Sequence, residues 1–177
     1  KSLILFRKIK SIQFFLSLLF FINSSITFAA APTIRFEHIN IGDGLAINHG
    51  RVILQDSTGF LWFGTFDGLV RYDGYDATVF RNDPTDINSI SDSVITSISE
   101  DSQNNLWIGT NVGLNLFNPK TEQFIHYRHQ TGDSNSLSDD AVRSIAEDSQ
   151  GNIWVGTRDG GLNKFNPKTE HFKHYRH

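Results

Sequence analysis

Cysteine is absent from the 177 residues, so no disulfide can hold this chain and packing has to do so. Methionine is absent as well, even at position 1, and the natural start is expected to lie upstream. No apolar run is long enough to cross a membrane as a helix. The longest, residues 12–22 (IQFFLSLLFFI), has 11 residues where about 20 are needed. Helical periodicity is missing from the repeats that make up the rest of the chain. Basic charge is concentrated at the start: without Lys1, Arg7, Lys8 and Lys10 the formal net charge goes from −3 to −7. An acidic remainder argues against nucleic acid or an anionic membrane surface as partner.

What is present begins with a leader. A basic head, the apolar run and the small-residue stretch at 23–31 (NSSITFAAA) follow the order of a secretory signal peptide. Cleavage after Ala29 leaves Thr27 and Ala29 at the recognised small positions, so residues 1–29 are expected to be removed; an uncleaved membrane anchor is the alternative. Residues 34–39 (IRFEHI) then read as a lone strand, of the kind that completes a distant sheet and locks a ring.

The remainder repeats itself. Residues 145–175 (IAEDSQGNIWVGTRDGGLNKFNPKTEHFKHY) restate residues 98–127 and, with more divergence, residues 53–80. Trp62, Trp107 and Trp154 fall at one place in each copy, 45 and 47 residues apart. That period belongs to arrays of supersecondary units, among them propeller blades. Within each copy a period of two marks a first strand, as in VITSIS at 94–99. A turn written DSTG, DSQN or DSQG follows, with Asp and Ser to bond their own backbone and Gly or Asn to accept positive φ. LWFGT, LWIGT or IWVGT makes the second strand, and its glycine calls for close backbone approach or a bulge. LVRY, LNLF or LNKF makes the third. Asn118-Pro119 and Asn166-Pro167 break the chain before a fourth, QFIHY or HFKHY.

Four short antiparallel strands cannot bury both faces of a sheet, whereas radial stacking of such sheets can. The predicted fold is therefore all-β: a β-propeller region over 34–177, with blades at about 49–90, 91–137 and 138–177. It is incomplete at the C-terminal side, with sheet faces left to cover. Polar joins at 82–91 and 130–138 occupy matching places.

The recurring elements are Trp62, Gly64 and Thr65; Trp107, Gly109 and Thr110; and Trp154, Gly156 and Thr157. With the GL and F/Y-N-P elements, this set resembles the two-component regulator propeller family. The pattern D-x-x-G-x-x-W-x-G-T occurs as Asp56, Gly59, Trp62, Gly64, Thr65 and as Asp148, Gly151, Trp154, Gly156, Thr157. The middle copy departs from it with Asn104 in place of glycine. The resemblance implies the periplasmic sensor of a bacterial membrane receptor, with further propeller, an immunoglobulin-like module, a membrane helix and a cytoplasmic output. That output is commonly a histidine kinase and sometimes a diguanylate cyclase. The implied partners are a small extracellular ligand such as an oligosaccharide, the rest of the receptor chain, and a second receptor in a dimer.

Other chemistry finds little footing. The tryptophans recur between aliphatic residues, as packing does, so they are not assigned to sugar stacking. Phe66 and Tyr75, in loops, are better placed to touch a ligand. His126 and His129 form HxxH, and His171, His174 and His177 extend the same text. A spacing of three on a strand puts side chains on opposite faces, whereas zinc needs converging ligands. Asp56, Asp101 and Asp148 open their turns without the oxygen ladder of a calcium loop. The adjacent acids Glu100-Asp101 and Glu147-Asp148 do not pair as acid and base, and no G-x-S-x-G occurs. Neither cofactor, metal nor catalytic residue is expected in this chain. An exported propeller enzyme and a secreted interaction scaffold are the alternative functions.

Overall fold

The computed structural model describes residues 50–176. The leader, the lone strand at 34–39 and His177 lie outside the described residues. Twelve strands follow in order: β1 (Val52–Gln55), β2 (Leu61–Gly64), β3 (Leu69–Tyr72), β4 (Ala77–Phe80), β5 (Ile95–Glu100), β6 (Leu106–Thr110), β7 (Gly113–Asn118), β8 (Gln123–Tyr127), β9 (Val142–Glu147), β10 (Ile153–Thr157), β11 (Leu162–Asn166) and β12 (His171–Tyr175). They make three four-stranded sheets, β1–β4, β5–β8 and β9–β12, each in sequential order. Every pairing is antiparallel. The all-β, four-stranded reading of the repeats holds.

The turn chemistry explains the strand ends. Gly59 and Gly151 take φ of 98° and 79°, and Asn104, where the pattern lacks glycine, takes 63°. Asparagine is among the few residues that tolerate this left-handed region, so the middle copy keeps the same turn.

The first strand of each sheet touches the next sheet, β1 against β5 and β5 against β9. The three sheets therefore stack about their first strands, the wedge arrangement of a propeller. Two hydrophobic seams result. The first gathers Trp62, Leu69, Ile95, Ile98, Leu106 and Phe117 between sheets one and two. The second gathers Trp107, Leu114, Val142, Ile153, Phe165 and Phe172 between sheets two and three. In each seam one sheet offers its tryptophan and the next offers a phenylalanine edge-on: Trp62 to Phe117 at 5.2 Å and Trp107 to Phe165 at 5.6 Å between ring centres.

Glycine in the second strand is required by these seams. A Cβ on Gly64 would meet Ile95 Cγ2 of the next sheet at 2.7 Å, and one on Gly109 would meet Val142 Cγ1 at 2.6 Å. Close approach, as the sequence implied, is the reason; register shifts also occur at Ile95/Ser97 and Gly156/Thr157.

Candidate functional site

The recurring text of each repeat is occupied in holding the sheet. Asp56 Oδ1 accepts from the backbone N–H groups of Thr58 and Phe60, while its Oδ2 accepts from Trp62 Nε1 at 2.8 Å. Asp101 does the same with Gln103, Asn105 and Trp107 Nε1 at 2.8 Å. Asp148 does so with Gln150, Asn152 and Trp154 Nε1 at 2.9 Å. Each aspartate thus closes its turn and locks the indole six residues on. The Asn152 backbone bond, helped by the Trp154 indole, holds the Asp148 carboxyl well below the usual carboxylate range. Burial raises Asp56 but its bonds from Thr58, Trp62 and Phe60 outweigh this, so its pKa is also lowered. The threonines close the next turn: Thr65 and Thr110 donate to Gly68 O and Gly113 O at 2.8 and 3.0 Å, and Thr157 to Gly161 O at 3.0 Å.

Three histidines, His126, His129 and His174, serve the joins. The linker after β4 runs back along the second sheet, where Phe124 N donates to Asn88 O and His126 Nε2 bonds Ser89 O at 2.7 Å. The next linker repeats this, with Phe172 N on Asn135 O and His174 Nε2 on Ser136 O at 2.7 Å. His126 and His174 therefore sit on different sheets, each tied to its own carbonyl. His129 lies beyond β8, with Nδ1 on Leu137 O at 2.8 Å.

A different population lines one rim, where first and third strands begin and second and fourth strands end. Seven arginines are described, and six stand here: Arg51, Arg81, Arg128, Arg143, Arg158 and Arg176. Arg71 sits within β3. The four described lysines lie within strands or in turns at the opposite rim. Aspartates accompany the arginines. Arg81 pairs with Asp67 at 2.9 Å, and that hydrogen bond lowers the Asp67 pKa. Arg158 pairs with Asp159 at 2.9 Å, and Arg143 Nη1 donates to Asn111 Oδ1 at 3.0 Å. The Arg51 guanidinium lies 4.7 Å from the ring centre of Phe66, which is 56% exposed.

A cleft of about 610 Å³ opens on this rim between the first linker and the end of β8, lined by Asn82, Asp83, Asp86, Ser91, His126 and Arg128. Arg128 is exposed there and has no hydrogen-bond or ion-pair partner among the described residues. Asp83 and Asp86 are fixed as acceptors by Thr85 and Asn88. A free fork of donors opposite held acceptors suits a small polyhydroxylated or anionic molecule. Tyr75, 93% exposed, stands in the β3–β4 turn at the other rim, so it and Phe66 cannot share one ligand. The arginine rim was missed from sequence. Its signal was there: Arg81, Arg128 and Arg176 each directly follow the aromatic that ends a fourth strand.

Residues 89–112 and 136–159 match the two component regulator propeller family. Two of the three repeats in this chain are thus similar to two-component regulator propeller repeats. Both matched segments enter through a linker, run down a first strand and end at the W-x-G-T strand or the turn beyond it. Over 49 residues the chain is 47% identical to Histidine kinase P4 of Formosa agariphila, spanning 28% of this chain and 4% of that protein. Its fold is similar to that of the extracellular domain assigned to a hybrid two component system, BT3049, from B. thetaiotaomicron. The TM-score is 0.68 at 30% identity, over 76% of this chain and 20% of that one. The chain thus spans a small part of the length of these relatives.

Proposed function

We propose that these repeats are part of the periplasmic sensory propeller of a membrane-bound bacterial receptor in two-component signalling. The observation that carries this is the likeness to an extracellular domain of a hybrid two component system, at 30% identity and a TM-score of 0.68. The leader-like N-terminus agrees with export. The ligand is a small extracellular molecule, an oligosaccharide by its fit to a rim of arginines, fixed carboxylates and the exposed Phe66 ring. Catalysis belongs to an output region elsewhere in the receptor. A histidine kinase is the favoured output because a kinase shares the repeat at 47% identity; a diguanylate cyclase is the alternative. Signalling then requires that the ligand bind one conformation of a receptor dimer better than the other.

Two measurements test this. Alkaline phosphatase joined after His177 should be active, since it works only after export; an inactive fusion present at normal level argues against the periplasmic placement. A thermal-shift screen of the 177-residue chain against neutral and acidic oligosaccharides should find a class that raises the melting temperature. Stabilisation of about 2.7 kcal/mol is expected at a hundredfold excess over Kd. Arg128→Ala should remove that shift and Tyr75→Ala should leave it. A shift lost with Tyr75→Ala and kept with Arg128→Ala would move the site to the other rim.

A further inference from the structure

The first sheet departs from the other two at two seam positions. In sheets two and three, the residue two places before the tryptophan is an asparagine that serves the turn. Asn105 Nδ2 donates to Asp101 Oδ2 at 2.9 Å and Asn152 Nδ2 to Asp148 Oδ2 at 3.0 Å, each beside the indole that donates to the same oxygen. The first sheet has Phe60 there, whose side chain carries no donor. Among the described residues, Asp56 Oδ2 therefore accepts from Trp62 Nε1 alone. The second departure is Arg71, opposite Trp62 where the second sheet has Leu116 opposite Trp107. Leu116 packs into its seam. The Arg71 guanidinium instead lies 5.3, 5.9 and 5.6 Å from the ring centres of Phe60, Trp62 and Phe80, and its Nη2 donates across the seam to Glu122 Oε1 at 2.7 Å.

A cavity of about 140 Å³ opens between the first two sheets at this point, at the rim opposite the arginines. Its apolar walls include Phe60 and Trp62 of the first sheet and Leu106 and Phe117 of the second. An apolar space of about 150 Å³ holds a benzene-sized molecule. Charge narrows the choice of occupant. Arg71, the only cation lining the cavity among the described residues, is already paired with Glu122, while Asp56 and Glu100 line it as carboxylates and repel an anion. Glu100 is fixed in place: Ser57 N and Oγ donate across the seam to its Oε2 and Oε1 at 2.8 and 2.6 Å. Ser102 N and Oγ grip Glu147 in the same way across the second seam, at 2.7 and 2.7 Å. A carboxylate has about four acceptor sites, so Asp56 Oδ2 can take one more donor. Ring walls favour an aromatic occupant, packed edge-on or offset.

We infer that this cavity is a binding site for a small uncharged phenol. The ring lies among Phe60, Trp62 and Phe117, and the hydroxyl donates to Asp56 Oδ2, replacing the amide that Asn105 and Asn152 supply in their own copies. The second seam has no such site, because Asn105 provides the donor and Leu116 fills the wall. The cavity is separate from the cleft at the arginine rim, so a failed oligosaccharide screen has no bearing on it.

Phenol itself is the probe, titrated into the isotope-labelled 177-residue chain. The three tryptophans give three indole N–H signals by nuclear magnetic resonance, assigned with Trp62→Phe, Trp107→Phe and Trp154→Phe. The Trp62 signal should move and saturate while the other two stay. Toluene, of similar size without the donor, should bind several-fold more weakly, and benzoate should not bind measurably. Phe60→Asn gives the first sheet the residue that the other two already accommodate. It should abolish the phenol shift, with unchanged Trp107 and Trp154 signals reporting the intact fold. Equal movement of all three signals, or movement that never saturates, overturns the inference. So does toluene binding as tightly as phenol, which removes the hydroxyl contact, or phenol binding unimpaired by Phe60→Asn, which removes the site.

Discussion

Trp107 and Trp154 occupy the same place in nearly the same text, and their surroundings differ. Both are locked by an aspartate six residues earlier at 2.8 and 2.9 Å. Both lean on a fourth-strand tyrosine, Tyr127 or Tyr175. Trp107 is 2% exposed because the third sheet brings Phe165 against it, whereas no described sheet covers Trp154. The local lock is therefore a property of one repeat, and burial is a property of two. Repeat energetics divide in this way: an intrinsic part for each unit and an interface part for each neighbouring pair.

The sharpest way to break the comparison is to truncate both rings. Trp107→Ala should cost about 3–5 kcal/mol, from lost apolar burial and a cavity the seam cannot close. Trp154→Ala should cost about 1–2 kcal/mol, for the apolar area its own sheet covers. Urea midpoints of the 177-residue chain would show this, and equal losses would mean that the third sheet is covered as the second is.

Glycine gives the next effect. Gly109→Ala drives a methyl group into Ser97 and Val142, from both its own and the next sheet. Overpacking of that kind costs about 1–3 kcal/mol. Gly156→Ala meets only Ser144, whose hydroxyl can rotate away, so its cost should be clearly smaller in the same titration.

The serine clamp is weaker. Ser102→Ala leaves the half-buried Glu147 without its two bonds and should cost about 1 kcal/mol. Ser149→Ala, at the same turn position of the third sheet, should change nothing, and a measurable loss there would point to a partner on that sheet.

Acidity gives the smallest effect. The Asp148 carboxyl is held by the Asn152 and Gln150 backbone and the Trp154 indole, with its pKa well below the unfolded value of about 3.9. A lowered folded pKa stabilises above the unfolded value, and that contribution is lost as pH falls towards the folded one. Stability should thus be insensitive to this group from pH 7 to about 5 and decline below about 4. Asp148→Asn should flatten that acid slope; an identical slope in the variant would show that the carboxylate is not bonded as described.

The repeats, their four strands, the turn types and the glycine of the second strand were all legible in the residues. Each rests on chemistry within a few positions: period-two patterning, Asp and Ser closing a turn, Gly or Asn accepting positive φ. The aspartate–indole bond was only half legible, since D-x-x-G-x-x-W shows the spacing but not that the strand folds the ring back onto the carboxylate. The strand spacing of the histidines argued against a shared metal but not for a role; that His126 and His174 hold linker carbonyls was hidden because those carbonyls lie 37 and 38 residues away along the chain. The arginine rim was hidden because its members lie 15 to 47 residues apart along the chain. Only antiparallel strands of matched length bring them to one edge.

Sequence alone therefore determined the unit: an all-β, cysteine-free repeat with its own turns and its own tryptophan. Local bonding and side-chain periodicity are enough for that. Which tryptophan is buried, which serine is gripped, and where the arginines meet were decided by tertiary structure. Each depends on a surface that one repeat presents and its neighbour completes, and no single copy of the text contains both halves.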